Sequence, residues 1–136
     1  MLRAAQRAAE GSLDIVAVTV LTSLSDDELA TVGVPNGAGA QVERLASLAY
    51  EAGVRCFVCS PREATALRAR LGNDVVLITP GVRPAGAASG DQKRVMTPTD
   101  AVRAGADILV VGRPIRDAAD PASQARAICE EIAQAL

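Results

Sequence analysis

Val75-Val76-Leu77-Ile78-Thr79-Pro80-Gly81-Val82-Arg83-Pro84 decides how this chain is read. Its first five residues are apolar or β-branched and do not alternate with polar ones. That is the pattern of a strand covered on both faces of a parallel sheet. The run then breaks at Pro80 and Gly81 into a loop that carries Arg83. Glycine lets the backbone approach a ligand closely, and arginine offers a planar fork of donors suited to phosphate. Three more largely apolar runs occur, at residues 13–21, 56–59 and 108–111. The last also gives way to glycine and arginine, at Gly112-Arg113-Pro114.

Between these runs the apolar residues recur at helical spacing. Val42, Leu45, Ala46, Ala49 and Ala52 repeat at three and four, as do Ala125, Ile128, Cys129, Ile132 and Leu136. Ser25-Asp26-Asp27-Glu28 and Ser60-Pro61-Arg62-Glu63 read as capping boxes, and Thr97-Pro98 and Asp120-Pro121 repeat a cap followed by proline. Gly53, Gly72 and Gly105 each close a helix shortly before the next strand. The order predicted is α-β-α-α-β-α-β-α-β-α. Strands alternating with helices imply an α/β fold with a parallel sheet, and in such sheets the functional loops follow the carboxyl ends of the strands. Those loops begin at Thr22, Ser60, Gly81 and Gly112. The longest, residues 81–96, carries Arg83, Gln92, Lys93 and Arg94, and long loops are usually functional or disordered.

With 136 residues the chain is sized for one domain. Nearly half is apolar but only Tyr50 and Phe57 are aromatic, so Val, Leu, Ile and Ala must fill the core. A net charge of −2 with interspersed signs makes no basic stripe, and bases would find no aromatic platform; nucleic acid is not an expected partner. No apolar stretch approaches the ~18 residues of a membrane span. The N-terminus has no signal-like apolar region, so a cytoplasmic location is expected. Cys56 and Cys59 form C-x-x-C, yet with no histidine and three-residue spacing along a strand they read as small buried core residues, not as a metal or redox site. Ser23 and Ser60 read as caps, since no histidine exists to activate a serine in the usual triad. Taken alone, Thr22 reads equally as a strand-end cap, and Arg94 reads as a solvated loop charge.

Several segments taken in order carry a family resemblance. Val18-Thr19-Val20-Leu21-Thr22-Ser23, Val58-Cys59-Ser60, Thr79-Pro80-Gly81-Val82-Arg83-Pro84, Asp91-Gln92-Lys93-Arg94-Val95-Met96-Thr97-Pro98 and Val111-Gly112-Arg113-Pro114-Ile115 closely resemble the carboxyl-terminal half of bacterial orotidine 5′-phosphate decarboxylases. The resemblance implies the last four strands of a TIM (β/α)8 barrel, with residues 1–136 forming one incomplete barrel domain of strands five to eight. It implies a carboxy-lyase converting orotidine 5′-monophosphate (OMP) to UMP and CO2 in pyrimidine biosynthesis, with no metal or organic cofactor. It also assigns roles: Thr22 to the pyrimidine or ribose side, Arg83 and Gln92 to a mobile grip on phosphate, Gly112 and Arg113 to the fixed half of the phosphate site. Physical chemistry agrees: a backbone N–H at the start of a short helix suits an anion, Arg113 can bind phosphate bidentately, and Gln92 can donate to phosphate while accepting from a base.

The family's chemistry rests on alternating lysines and aspartates, including an Asp-x-Lys-x-x-x-Asp run on an earlier strand. This chain has one lysine, Lys93, and no segment matching that run. The resemblance therefore implies binding residues without a catalytic set, so no catalytic residue is assigned and the chain alone is expected to be inactive. Four strands cannot close the barrel, and exposed edges invite pairing with a second copy or with an amino-terminal half-barrel. Two other readings stay open: a non-catalytic α/β module holding a phosphate ester, and a sugar-phosphate lyase or synthase of the same superfamily.

Overall fold

The computed structural model describes residues 1–9, 11–85 and 94–136. Among them four strands form one parallel sheet in sequence order: β1 (Val16–Val18), β2 (Cys56–Val58), β3 (Val76–Thr79) and β4 (Ile108–Leu109). Helix α1 (Leu2–Ala9) precedes β1; α2 (Asp26–Thr31) and α3 (Gly37–Glu51) lead to β2; α4 (Pro61–Leu71) leads to β3; α5 (Pro98–Arg103) leads to β4. A single extra turn, α6 (Arg113–Arg116), stands between β4 and the last helix, α7 (Pro121–Ala133), where the sequence predicts one helix. The α/β class and the parallel strands are as expected.

The helix starts follow from their caps. Ser25 accepts from the Glu28 amide while Glu28 returns a bond to the Ser25 amide, and Ser60 and Glu63 repeat this reciprocal arrangement with Pro61 in the first turn. Thr97 and Asp120 also cap through their side chains. These bonds satisfy amides that have no partner within the helix.

The strands depart from the sequence reading in one respect. Their continuous apolar runs predict cover on both faces, whereas the structure covers one. Ala17, Phe57 and Leu77 stand abreast in register. All three are buried in a cluster with Val42 and Ala46 of α3 and Leu67 of α4. The flanking rows, Val16–Cys56–Val76 and Val18–Val58–Ile78–Ile108, point the other way. Val16, Val18 and Ile108 are exposed and the others half-buried. The physical reason is the strand count: four strands leave an open sheet, and the buried core that the helices make with it lies on one side. Cys56 is correspondingly half-buried, while Cys59 is fully buried as expected.

At the amino-terminal ends of the strands, Arg68 of α4 acts as a clamp. It donates to the Val75 carbonyl at 2.9 Å and the Gly105 carbonyl at 2.7 Å, and pairs with Asp107 at 2.6 Å. Asp107 in turn accepts from the Leu77 amide at 2.7 Å. Fixing that end leaves the carboxyl ends free to carry loops.

Candidate functional site

A cleft of about 360 Å3 opens at the carboxyl ends of β3 and β4, lined by Pro80, Gly81, Arg83, Val110, Gly112, Arg113 and Arg116. The local sequence explains its shape. Gly81 adopts φ +81°, a left-handed conformation that turns the chain out of β3 at no side-chain cost. Val82 then forms a bridge to Met96, and the Arg83 amide donates to the Met96 carbonyl at 2.9 Å. Arg83 therefore stands on the pinned stem of the long loop. It is buried, and its Nη1 donates to the Val82 carbonyl at 2.8 Å. A Cβ built on Gly112 meets nothing within 4 Å, so the space above that backbone is open to a ligand. Arg113 begins α6, half-buried.

Three of the five residues singled out from sequence, Arg83, Gly112 and Arg113, thus line one cleft. Gln92 lies outside the described residues. Thr22 is buried beyond β1 and is not among the cleft-lining residues. The sequence reading missed Arg116. It follows Arg113 by three positions, and that spacing puts two residues on one face of a helical turn. Its guanidinium grips Asp117 through two bonds, of 2.6 and 3.0 Å. The Arg116 hydrogen bond holds the Asp117 carboxyl below its usual range.

Arg94 requires a correction. The sequence reads it as a solvated loop charge, but it is buried beside a buried Glu63. Nη1 of Arg94 donates to Oε1 of Glu63, and Nη2 donates to the carbonyls of Val20 at 3.3 Å and Leu21 at 2.9 Å. The Arg94 carbonyl accepts from the Ser60 hydroxyl at 3.2 Å. Burial pushes the Glu63 carboxyl above its usual range, against the opposing pull of Arg94 and the Ser60 amide. Burial also raises the Cys59 thiol to about 12, with Glu63 adding to the shift, so Cys59 is no nucleophile at neutral pH. Among the described residues no group of three or more His, Cys, Asp or Glu could hold a metal ion, and no helix is long and apolar enough to cross a membrane.

Residues 1–128 match the family model described as orotidine 5′-phosphate decarboxylase / HUMPS family. The orotidine 5′-phosphate decarboxylase of Anaeromyxobacter dehalogenans is 58% identical over 128 residues, covering 94% of this chain and 56% of that protein. That of Thermobifida fusca is 58% identical over 132 residues, covering 97% and 56%. The chain spans little more than half the length of these curated relatives. The crystal structure of orotidine 5′-phosphate decarboxylase from Lactobacillus acidophilus superposes with a TM-score of 0.79 at 34% identity, over 97% of this chain and 58% of that one.

Proposed function

Because the chain belongs to the orotidine 5′-phosphate decarboxylase / HUMPS family, we propose that it is the nucleotide-gripping half of a carboxy-lyase acting on OMP. On this reading it corresponds to strands five to eight of the parent barrel. The observation that carries the proposal is the meeting of Arg83, Gly112 and Arg113 in one open cleft at the carboxyl ends of adjacent strands, the place where parallel α/β sheets hold ligands. Two guanidinium groups and an unobstructed glycine suit a phosphate monoester. Gln92 and Thr22 are assigned to the same nucleotide, Gln92 from the loop and Thr22 from the sugar or base side.

Binding groups alone do not break the carboxylate bond. That step needs charges aimed at the reacting carbon and a proton donor to the carbanion. The sequence offers one lysine and none of the family's alternating acid–base run. The partner proposed is therefore the amino-terminal half-barrel. Its strands would pair with the edges of β1 and β4 and cover the apolar rows through Val16 and Val18. The cleft then supplies phosphate binding energy to a reaction whose chemical groups arrive with the partner. A second copy seated on the same face is the alternative that the oligomeric state tests.

Titration of the chain by calorimetry with UMP and with ribose 5-phosphate tests the reading. Binding of both, weakened by salt, is expected. Absence of phosphate-ester binding, or binding that survives Arg113→Ala unchanged, would overturn it.

A further inference from the structure

We infer that Arg94 is a positioning residue that sets the placement of Thr22 relative to the arginine cleft, so that the site accepts a whole nucleoside monophosphate in preference to a bare sugar phosphate. The inference rests on the proposed function for what the two ends hold.

Arg94 follows directly on the loop segment that carries Gln92; its contacts reach two strand ends, and the chain just beyond it reaches a third. Toward β1, its Nη2 holds the carbonyls of Val20 and Leu21, the two residues before Thr22. Toward β2, its Nη1 meets Glu63, whose other oxygen accepts from the Ser60 amide at 2.8 Å, and its carbonyl accepts from the Ser60 hydroxyl. Toward β3, the chain two residues on accepts from the Arg83 amide at 2.9 Å. One buried side chain and its neighbours thus connect the backbone before Thr22 to the backbone of Arg83.

A buried ion pair is a poor way to gain stability, because desolvation of both charges offsets their attraction and apolar residues of similar volume often do as well. What the guanidinium adds is geometry. Its planar fork meets one carboxylate and two carbonyls at fixed angles, whereas an apolar side chain would let the three loops slide past one another. A nucleotide touches both ends of this strut; ribose 5-phosphate needs only the cleft. Arg94 itself is engaged with protein groups, so its effect reaches the ligand through Thr22 and Arg83.

The test measures dissociation constants of the full chain for UMP and ribose 5-phosphate, with circular dichroism as the check on folding. The unaltered chain should prefer UMP. Arg94→Met should leave ribose 5-phosphate binding within about twofold and weaken UMP binding at least tenfold. In the double variant with Thr22→Val the UMP losses should not add, because both changes remove one coupled contact. Should Arg94→Met fail to fold, Arg94→Lys decides: it keeps the charge but not the fork, and should shrink the preference for UMP several-fold. Equal loss for both ligands, an unchanged preference, or no preference in the unaltered chain would overturn this inference alone. Failure of the unaltered chain to bind either phosphate ester would overturn the proposed function first and this inference with it.

Discussion

Replacing Val18 by Asp should scarcely disturb the isolated chain yet abolish its pairing with an amino-terminal half-barrel. Val18 sits on β1 in the uncovered row and is 58% exposed. Full burial of a valine is worth about 1.5–3 kcal/mol, so the part already covered accounts for about 1 kcal/mol. The substitution should cost the chain alone about that much. Phe57, in the neighbouring row, is fully buried, and Phe57→Ala should cost about 3–5 kcal/mol. In the assembled barrel the Val18 position would become interior, and an unpaired carboxylate there carries a penalty of several kcal/mol, enough to lower association more than a hundredfold. Urea unfolding by circular dichroism at several protein concentrations gives the first two numbers. Titration with the amino-terminal half of a relative gives the third. A loss in the isolated chain as large as that of Phe57→Ala would show that the face is already covered in solution, for which a second copy is the candidate. Undiminished association would refute the assignment of that face to the barrel interior.

Arg113→Ala should weaken UMP binding by about 1.5–3 kcal/mol, the range for a charged hydrogen bond, as read by calorimetry at fixed salt. Ser60→Ala should cost about 1 kcal/mol or more beyond Ser25→Ala in urea unfolding: both remove a helix cap, but Ser60 also serves the buried Arg94 carbonyl. Cys129, which is exposed, should alkylate readily at pH 8 in the folded chain while Cys59 resists. The Cys59 thiol titrates higher folded than its ordinary value of 9.0, so its contribution to stability is intact below pH 9 and lost as pH rises toward about 12. That loss is on the order of 4 kcal/mol, and the alkaline unfolding curve of Cys59→Ala should lack it.

The elements that sequence reveals here are those with short-range causes. Capping boxes at Ser25 and Ser60 lie within four residues, and helix ends at Gly53, Gly72 and Gly105 depend on single left-handed residues; local pattern is enough for both. The pairing of Arg83 with Gly112 and Arg113 was legible because strand order brings successive carboxyl ends together. Most of what escaped has long-range causes. A continuous apolar run reports that a strand is meant to be covered on both faces, not what covers it, so the open rows at Val16 and Val18 cannot be foreseen from the runs themselves. Arg94 carries no periodic signal. Its partners lie 31 residues away at Glu63 and 73 away at Leu21, and only the folded loop closes those distances. Arg116 was within reach, because a turn of helix after Gly112 repeats the face of Arg113.

The most direct measurement is OMP decarboxylation by the chain, by the amino-terminal half of a relative, and by the two mixed. Turnover is expected in the mixture alone, rising to a plateau at equal amounts of the two halves. Turnover by this chain on its own, surviving dilution and repurification, would contradict the division of labour proposed between gripping and bond breaking.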